Sequence, residues 1–490
     1  MKPVAIIGAG ITGLTAAFYL KRAGVPVTVY EASGRVGGVI QSLRKDGFLA
    51  EFGPNTILQT SPKIGQLVRD AGLIPRIARS DPQAGARYLV RYGRPIEMPA
   101  SPLGFISTKL FTRKAKLAVL REPFVKPRTD GVEESIAQFV VRRLNQEFLD
   151  QAIDALVGGI YAGDPHKLSV KHAFPKLKAL EDRYGSLIEG SVFVMFKRLG
   201  DQLLKSAQMP KGNSPKLSFD EGLQVLPDTL AAQLGDSLKL NTPVTKLAQT
   251  ADGWDLAVGH HNEAAASPLR TVEHSAVIYC GTAYRLAELK LETGAGAESG
   301  GGAIDLSAFS EVSYPPVASV VLGFKREDVA HPCLGFGMLI PKVEGFKILG
   351  TIFSSALFPD RAPEGHLTLT SYIGGARYPE LALLPPEQLV ETVLADLRKL
   401  LGVCGQPVFS HCVVYPRAIP QYNIGYGKYK QLLKEIEMRA PGLFFAGHFR
   451  DGVSLSDSIV SGVNIAGRVA KLFKPQTDPP KPEPRAETKS

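Results

Sequence analysis

The sequence predicts a mixed α/β (α+β) fold that combines a Rossmann-type nucleotide-binding domain with a sheet-based second domain and a mainly helical insertion. Residues 3–31 read as a strand, a glycine-rich turn, a helix and a second strand. Residues 101–200 carry long helical patterns interrupted by prolines, and the later part of the chain carries short β-branched or alternating segments. With 490 residues, the chain is long enough for about three domain-sized units.

The first element is a βαβ unit. Its first strand is the apolar run Val4–Ile7, its helix covers Leu14–Ala23, and its second strand is Val25–Tyr30. The turn Gly8–Gly13 has the spacing GxGxxG, and Glu31 follows the second strand. A strand before the glycines, a helix after them and an acid at the end of the second strand are typical of a dinucleotide-binding fingerprint. The alternative is a plain glycine-rich turn.

Each glycine of the turn has a predicted role. Gly8 permits the tight turn, Gly10 lets the backbone approach a pyrophosphate, and Gly13 lets the helix pack closely on the strand. The helix N-terminus then faces the phosphates, and Glu31 accepts hydrogen bonds from a ribose. The sequence therefore predicts a bound dinucleotide.

A second glycine pair narrows the type of dinucleotide. Arg35 and the pair Gly37 and Gly38 follow Glu31 in the run EASGRVGG. Arg35 is predicted to pair with phosphate oxygens, and the two glycines keep side chains away from the cofactor. This RxGG extension resembles the FAD-binding amine oxidase and phytoene desaturase superfamily more than NAD dehydrogenases, and the resemblance implies FAD.

Periodicity predicts the remaining elements. A helix is predicted over Val132–Leu144 within the insertion. The glycine-rich stretch Glu292–Gly302 is predicted to be a linker, and the proline-rich tail Lys474–Ser490 is predicted to be disordered. Four short segments are predicted as strands of a substrate-side sheet: Leu238–Leu240, Trp254–Val258, Val317–Phe324 and His366–Tyr372.

Composition limits the class of protein. An excess of 57 Lys+Arg over 47 Asp+Glu gives a net charge of +10. This charge is consistent with an acidic partner, which is an anionic small molecule, a phospholipid surface or nucleic acid, and equally with a role in solubility alone. The cysteines have no CxxC or cysteine–histidine spacing, so we expect no metal site, no disulfide framework and a reducing cytoplasm. Because a strand pattern begins at Val4, we expect no secretory or transit segment. No apolar run reaches the ~18 residues that span a bilayer.

Residues 105–128 mix basic and apolar side chains in a way that suits an anionic bilayer surface. We therefore expect a peripheral, membrane-binding insertion; an amphipathic helix of a soluble protein is the alternative. Nucleic-acid binding is not expected, because the cluster lacks aromatic residues placed for base stacking. The basic residues are Lys109, Arg113, Lys114, Lys116, Arg121, Lys126 and Arg128, and the apolar ones are Phe105, Ile106, Leu110, Phe111, Leu117, Val119, Leu120, Phe124 and Val125.

Near the C-terminus the chain is predicted to return to the cofactor. Gly442–Gly447 reads as a strand that enters a glycine turn, and Gly452–Ser458 leads into a helix. A helix N-terminus directed at the flavin stabilises negative charge on the reduced ring. No cysteine lies between Ala446 and Gly462, near where superfamily members with covalent flavin carry one, so FAD is expected to be non-covalent.

Six further stretches carry a family resemblance: Tyr314–Ala318, His331–Pro341, Leu349–Ser355, Phe358–Arg361, Pro420–Tyr422 and Ala446–Gly462. They resemble the protoporphyrinogen oxidase family, and the resemblance covers most of the chain. It implies oxidation of protoporphyrinogen IX to protoporphyrin IX in haem or chlorophyll synthesis, with FAD passing electrons to dioxygen and hydrogen peroxide released. Coproporphyrinogen III is the alternative substrate. Further alternatives are an amine oxidase or carotenoid desaturase on the same scaffold, and a membrane-associated flavoprotein without activity.

The resemblance also implies site residues, among them Arg87 as the partner of a substrate propionate. It assigns no catalytic acid–base pair. The residues that match the substrate pocket are Arg87, Gly158, Phe336, Gly337, Leu339, Ile352 and Tyr372. The residues that match cofactor positions are Gly8, Gly10, Ile11, Thr12, Gly13, Glu31, Arg35, Gly37, Gly38, Gly53, Pro54, Asn55, Thr56, Val244, His448, Val453, Ser454 and Leu455.

Two positions distinguish this chain within the family. Asn55 matches plant-like members, whereas the animal enzyme has arginine there. Tyr372 occupies a position that is often phenylalanine or methionine, so its hydroxyl needs a hydrogen-bond partner or a water molecule.

The resemblance finally implies a division into domains and a set of partners. The partners are a porphyrinogen, dioxygen, a membrane surface, a second copy of the chain in a homodimer, and a ferrochelatase. The FAD-binding domain is expected to comprise residues 1–66, 222–285 and 440–473; the substrate domain 67–100, 200–221 and 286–439; the membrane-binding insertion 101–199; and the tail 474–490.

Overall fold

The computed structural model describes residues 1–191, 193, 216–259, 270–294 and 302–473. The predicted disordered tail Lys474–Ser490 and the centre of the predicted linker Glu292–Gly302 lie outside the described residues. Within these ranges the chain forms helices together with parallel and antiparallel sheets, so the predicted mixed α/β fold class is confirmed.

The strands are numbered in chain order. They are β1 Val4–Ile7, β2 Val27–Tyr30, β3 Ser42–Lys45, β4 Phe48–Glu51, β5 Ile57–Leu58, β6 Ile77–Arg79, β7 Arg87–Arg91, β8 Arg94–Glu97, β9 Lys216–Phe219, β10 Leu238–Lys239, β11 Val244–Thr250, β12 Gly253–Val258, β13 Arg270–His274, β14 Ala276–Tyr279, β15 Lys290–Thr293, β16 Gly302–Ile304, β17 Val317–Lys325, β18 Gly337–Leu339, β19 Ile348–Phe353, β20 His366–Gly374, β21 Phe409–Tyr415 and β22 Leu443–Phe445.

The α-helices are numbered in the same way, and a π-helical turn, Leu149–Ile153, joins α6 to α7. They are α1 Ile11–Arg22, α2 Pro62–Asp70, α3 Pro102–Ser107, α4 Arg113–Arg121, α5 Ile136–Arg143, α6 Gln146–Phe148, α7 Asp154–Tyr161, α8 Val170–Ala173, α9 Pro175–Tyr184, α10 Val225–Leu234, α11 Ala283–Leu286, α12 Ser354–Leu357, α13 Pro386–Leu401, α14 Gly427–Arg439 and α15 Leu455–Ala470.

The first sheet is parallel and has the strand order β10–β2–β1–β14–β22. It contains the predicted βαβ unit, β1–α1–β2, which is therefore confirmed. Parallel strands need crossover connections, so this sheet collects segments from widely separated parts of the chain. Its carboxyl edge, where β1, β14 and β22 end, is the edge at which open α/β sheets bind their ligands.

Two of the four segments predicted for the substrate-side sheet lie elsewhere. Leu238–Lys239 joins the parallel sheet beside β2, and Trp254–Val258 lies in β12, within a second five-stranded sheet of order β13–β12–β11–β15–β16. That part of the prediction is wrong because alternation identifies a strand but not its neighbour. The other two segments, β17 and β20, are paired as neighbours. The domain boundaries themselves stay a prediction.

The third sheet has seven strands in the order β21–β17–β20–β19–β18–β7–β8. All its pairs are antiparallel except β18 with β7. One face packs on α13, where Val320, Leu322 and Phe324 join a core cluster with Leu389 and Leu397. The face of this sheet that points away from α13 is therefore available for contacts with other parts of the chain or with a ligand.

The segment between β8 and β9 is helical in its described part, residues 102–191 and 193, as predicted for the insertion. The helix predicted over Val132–Leu144 begins later, at Ile136, because Ser135 forms a capping box with Gln138. Glu122 and Arg143 are fully buried at 2.7 Å from each other and connect the start and middle of the segment. No helix among the described residues is long and apolar enough to cross a bilayer.

Helices α1 and α15 cross at very short range. A Cβ atom at Gly462 of α15 would lie 2.6 Å from the carbonyl oxygen of Thr12 and 2.7 Å from the Cβ of Thr15. The Thr12 hydroxyl also donates to the carbonyl oxygen of Ser458 at 3.0 Å. The last helix is therefore fixed against the first one.

We expect Gly462→Ala to destabilise the protein by about 1–3 kcal/mol, because the two helices must separate to admit the methyl group. Gly467→Ala, on the same helix, is the matched control. A Cβ atom at Gly467 would meet nothing within 4 Å, so this change should stabilise the protein by about 0.5–1 kcal/mol through helix propensity. Urea unfolding of the two variants measures both effects, and equal effects would contradict the close crossing.

Candidate functional site

The glycine turn between β1 and α1 leaves space where the sequence predicts a pyrophosphate. Gly8 has φ +103°, and a Cβ atom at Gly13 would lie 2.0 Å from the carbonyl oxygen of Gly8. Only glycine permits this packing of helix on strand. A Cβ atom at Gly10 would meet nothing within 4 Å, so open space lies at the N-terminus of α1. The turn fits an anionic group bound to backbone N–H groups.

The second glycine pair borders the same space. Gly37 and Gly38 have φ values of +96° and +60°, and the N–H of Gly37 donates to the carbonyl oxygen of Ala9 at 2.9 Å. A Cβ atom at Gly38 would lie 3.4 Å from the Cα of Gly10. Two loops without side chains thus meet in front of α1.

Glu31 lies at the end of β2 with both carboxylate oxygens hydrogen-bonded. One accepts from the backbone N–H of Ala9 at 2.8 Å, and the other accepts from the N–H and the hydroxyl of Ser33 at 2.9 and 2.8 Å. These bonds fix the carboxylate beside the glycine turn, and its remaining lone pairs are available for ribose hydroxyls. Its role towards a ribose stays a prediction.

Arg35 has partners other than the predicted phosphate. Its guanidinium donates to the carbonyl oxygens of Val36 at 3.2 Å and Ile40 at 3.1 Å, and also to that of Gly38. A planar fork of donors can bind several carbonyl oxygens of a tight loop. In this structure Arg35 therefore holds the loop that contains the glycine pair.

The C-terminal return brings a second helix N-terminus to the same edge. Ser454 caps α15 by accepting from the N–H of Asp457 at 3.1 Å, and Val453 and Leu455 flank it. Ile11 and Thr12 are buried at the start of α1. Because α1 and α15 are in contact near their N-termini, their positive dipole ends lie side by side.

His448 precedes α15 in the return loop. Tyr422 holds this loop, since its hydroxyl donates to the carbonyl oxygen of His448 and accepts from the N–H of Gly452 at 3.1 Å. Burial lowers the pKa of His448 to about 4, so the imidazole is neutral at physiological pH. Val244 begins β11, two residues after Thr242, whose N–H donates to the carbonyl oxygen of Glu31 at 2.8 Å.

The predicted substrate residues of the seven-stranded sheet share one face. Arg87 on β7 is directly opposite Gly337 on β18, and Gly337 is opposite Ile352 on β19. Leu339 is opposite Gly350, which is opposite Tyr372 on β20. Residues that face each other across a ladder, and residues two apart on one strand, point to the same side. Residues spread over some 285 positions of sequence (372 minus 87) therefore line a single surface.

Helix α7 lies over part of this face. A Cβ atom at Gly159 would lie 2.5 Å from the Cδ2 of Leu339, and one at Gly158 would lie 3.3 Å from the guanidinium of Arg377. Arg377 also forms an ion pair with Asp154 of α7 at 2.8 Å. Gly159 thus permits close packing of the helix on the sheet, and the predicted pocket residue Gly158 lies against Arg377.

Phe336 lies just before β18, and two backbone hydrogen bonds hold it there. Its N–H donates to the carbonyl oxygen of Ala86 at 2.7 Å, and its carbonyl oxygen accepts from the N–H of Phe353 at 3.1 Å. Two cations lie near its ring, Arg87 at the start of β7 and Lys216 at the start of β9, which pairs with β5 and β6 in a separate three-stranded sheet. The guanidinium of Arg87 lies 5.9 Å from the ring centroid, and the ammonium of Lys216 lies 5.0 Å from it. Lys216 was not predicted, because a lysine that opens the short strand β9 carries no local sign of the ring that it contacts.

Tyr372 connects the predicted substrate face of the sheet to the Gly53–Thr56 loop, which belongs to the predicted cofactor site. Its hydroxyl donates to the carbonyl oxygen of Gly53 at 2.8 Å and accepts from the side-chain amide of Asn55 at 2.6 Å. Gly53, Pro54, Asn55 and Thr56 form the loop that connects β4 to β5, and burial raises the pKa of Tyr372. The hydroxyl that distinguishes this chain thus has two protein partners. Among the described residues, no cluster of three or more metal-ligating side chains occurs.

We expect Tyr372→Phe to destabilise the protein by about 1–3 kcal/mol, because the buried carbonyl of Gly53 and the amide of Asn55 lose their partner. FAD retention during gel filtration should fall as well, since the Gly53–Thr56 loop loses its anchor. Tyr92→Phe, at an exposed tyrosine, is the control and should change neither quantity. Unchanged unfolding and flavin content in Tyr372→Phe would show that the loop does not depend on this hydroxyl.

Comparison with known proteins gives one family. The family model described as flavin containing amine oxidoreductase matches residues 11–470. Protoporphyrinogen oxidase 2, chloroplastic/mitochondrial, of Arabidopsis thaliana is 36% identical over 98% of this chain and 96% of its own length. Coproporphyrinogen III oxidase of Bacillus subtilis (strain 168) is 30% identical over 94% of this chain and 96% of its own length.

The fold has solved counterparts. A crystal structure from Exiguobacterium sp. 255-15, assigned as a protoporphyrinogen oxidase, superimposes with a TM-score of 0.76 and 22% identity, covering 96% of this chain and 99% of that one. The chain therefore belongs to the flavin-containing amine oxidoreductase family and, within it, to the protoporphyrinogen oxidases.

Proposed function

We propose that this flavoprotein catalyses the oxygen-dependent oxidation of protoporphyrinogen IX to protoporphyrin IX, with non-covalent FAD as cofactor and hydrogen peroxide as second product. The observation that carries the proposal is the single sheet face formed by Arg87, Gly337, Leu339, Ile352 and Tyr372. This face is apolar along most of its length and has a cation at one end. It adjoins the cofactor loop through the hydrogen bond between Tyr372 and Gly53.

The described residues fit FAD. The open space beside Gly10, bordered by Gly37 and Gly38, suits the pyrophosphate, and Glu31 is placed for the ribose. The N-terminus of α15 suits the flavin ring, because its N–H groups favour negative charge. When bound, FAD supplies a two-electron acceptor that dioxygen reoxidises. The residues of the chain bind and orient FAD and exclude water from its surroundings.

The sheet face fits a flat tetrapyrrole. The apolar side chains of Leu339 and Ile352 would contact the macrocycle, and the glycine at 337 leaves room beside them. The guanidinium of Arg87 is suited to pair with a propionate, because its planar fork matches a carboxylate. Oxidation yields an aromatic ring system, so the main task of the protein is to hold a meso carbon against the flavin in a dry site.

An aerobic fluorescence assay tests the reaction. Purified yellow protein is mixed with protoporphyrinogen IX or coproporphyrinogen III, and porphyrin emission is followed against an autoxidation blank. We expect the faster rate with protoporphyrinogen IX. A faster rate with coproporphyrinogen III would show that coproporphyrinogen III, and not protoporphyrinogen IX, is the substrate. No rate above the blank with either, despite bound FAD, would refute the proposal and direct attention to amines and carotenoids.

We expect Arg87→Gln to raise KM for protoporphyrinogen IX by about 10- to 100-fold with little change in kcat, because a charge-assisted bond to a propionate contributes about 1.5–3 kcal/mol. Arg94→Gln is the matched control, since Arg94 is exposed on the neighbouring strand β8. Initial rates over a range of substrate concentrations give both constants. An equal rise in KM for the two variants would argue against a specific role for Arg87.

We further propose that the region of α3 and α4 binds an anionic membrane surface. Five apolar side chains are exposed there, with Phe124 at 86% and Leu120 at 70% of their full surface. They lie among exposed cations that include Arg113, Lys114 and Arg121, a combination that suits an interfacial helix. Three residues of the predicted set have another role: Leu110 is buried, and Phe105 and Phe111 pack on Phe148. The exposed apolar residues are Leu103, which precedes the predicted set, and Ile106, Leu117, Leu120 and Phe124.

Vesicles that contain phosphatidylglycerol test this surface by co-sedimentation. We expect binding that weakens with salt, and a loss of about tenfold or more in the double variant Leu120→Ser/Phe124→Ser, because two apolar side chains no longer enter the interface. Leu383→Ser changes an exposed leucine outside this region and is the control. No binding at low salt would refute the proposal. A cytoplasmic location, a homodimer and a ferrochelatase contact stay predictions.

A further inference from the structure

Lys216 occupies an unusual position between the cofactor loop and the substrate face. It begins β9, where it is directly opposite Leu58, two residues beyond the Gly53–Thr56 loop. Its side chain is buried, with 8% of the residue surface exposed. The ammonium lies over the ring of Phe336 at 5.0 Å and donates a long hydrogen bond, 3.4 Å, to the carbonyl oxygen of Ala84.

The charge of Lys216 is poorly compensated. Within the part of the chain that the structure describes, neither Lys216 nor Arg87 forms an ion pair with a carboxylate. Burial lowers the pKa of Lys216, and the charge of Arg87 lowers it further. Two cations therefore share the ring of Phe336, and the cation–π contact offsets only part of the cost of removing an ammonium from water. An anion bound between them would supply the missing charge.

The surroundings specify the chemistry of that anion. Phe336 packs with Ile352, Ala84 and Leu357 in a small apolar cluster, so the two cations lie beside an apolar surface. A carboxylate attached to a flat apolar body fits this arrangement, because it offers one oxygen to the fork of Arg87 and the other to an ammonium. An isolated inorganic anion would leave the apolar cluster without a partner.

We propose that Lys216 is a second propionate-binding residue, which together with Arg87 forms a two-cation carboxylate site over Phe336. This inference rests on the proposed function, because it assigns one more contact to the same substrate. It assigns the carboxylate end of the substrate to residues of β7 and β9. The meso carbon that is oxidised then lies farther along the sheet face, on the side of Tyr372 and the Gly53–Thr56 loop.

Three variants test the assignment. Lys216→Met keeps the length of the side chain and removes its charge, and Lys216→Arg restores a charge. Lys347→Met is the matched control, because the ammonium of Lys347 also lies over an aromatic ring, 4.9 Å from the centroid of Tyr378. Lys347 precedes β19, at the end of that strand that is remote from Ile352. Flavin absorbance per chain confirms that each variant has folded around its cofactor.

The kinetic readout compares two substrates, protoporphyrinogen IX and its dimethyl ester, in which both carboxylates are blocked. We expect Lys216→Met to raise KM for the diacid about tenfold, to leave kcat within about twofold, and to leave KM for the ester unchanged. Lys216→Arg should restore most of the affinity for the diacid, and Lys347→Met should behave as the unaltered protein. A lysine with a purely structural role would raise KM equally for both substrates.

An equilibrium readout needs no turnover. Protoporphyrin IX and its dimethyl ester are titrated against each protein, and binding is followed by the shift of the porphyrin absorption band. Lys216→Met should lose about tenfold in affinity for the diacid alone. Unchanged affinity for the diacid, or an equal loss for the ester, would overturn the inference while the porphyrinogen oxidase activity of the unaltered protein stood. Absence of activity in the unaltered protein would instead refute the proposed function.

Discussion

The structure depends on backbone segments that approach each other more closely than side chains would permit. The carbonyl oxygen of Gly8 lies only 2.0 Å from the position that a Cβ atom of residue 13 would take, and the carbonyl oxygen of Thr12 lies 2.6 Å from the corresponding position at residue 462. The first contact fixes α1 on β1, and the second fixes α15 on α1. Because the two helix N-termini lie at the same edge of the parallel sheet, their N–H groups can face different parts of one bound dinucleotide. The cofactor cradle follows from these two contacts.

The structure also depends on a fixed position of the cofactor cradle relative to the substrate face of the seven-stranded sheet. A buried hydroxyl provides this connection, because Tyr372 belongs to the sheet and its partners Gly53 and Asn55 belong to the loop after β4. A buried polar pair of this kind is directional. It specifies one position of the loop against the sheet, whereas apolar packing alone would tolerate several.

The sequence predicted what is local and missed what depends on distant pairing. The βαβ unit was correct because its strand, turn and helix follow one another within about thirty residues. Leu238–Leu240 was recognised as a strand but assigned to the wrong sheet, since its neighbour β2 lies some two hundred residues away in sequence. The family resemblance named Arg87, Gly337 and Ile352, yet only the ladder between β7, β18 and β19 shows that they share a face. Lys216 was missed because its significance lies in the ring of Phe336, which nothing near β9 specifies.

The strand order of the two main sheets has a consequence for synthesis of the protein. The parallel sheet needs β22, which ends at Phe445, and the seven-stranded sheet joins β7 to β18 across some 250 positions (337 minus 87). Contacts of such long sequence separation form slowly and leave strand edges open until the partner arrives. A growing chain therefore carries open strand edges of the seven-stranded sheet until β21, which ends at Tyr415, has been synthesised, and of the parallel sheet until β22 has been synthesised. The predicted cofactor site also includes the N-terminus of α15, so it is complete only when nearly all of the chain has left the ribosome.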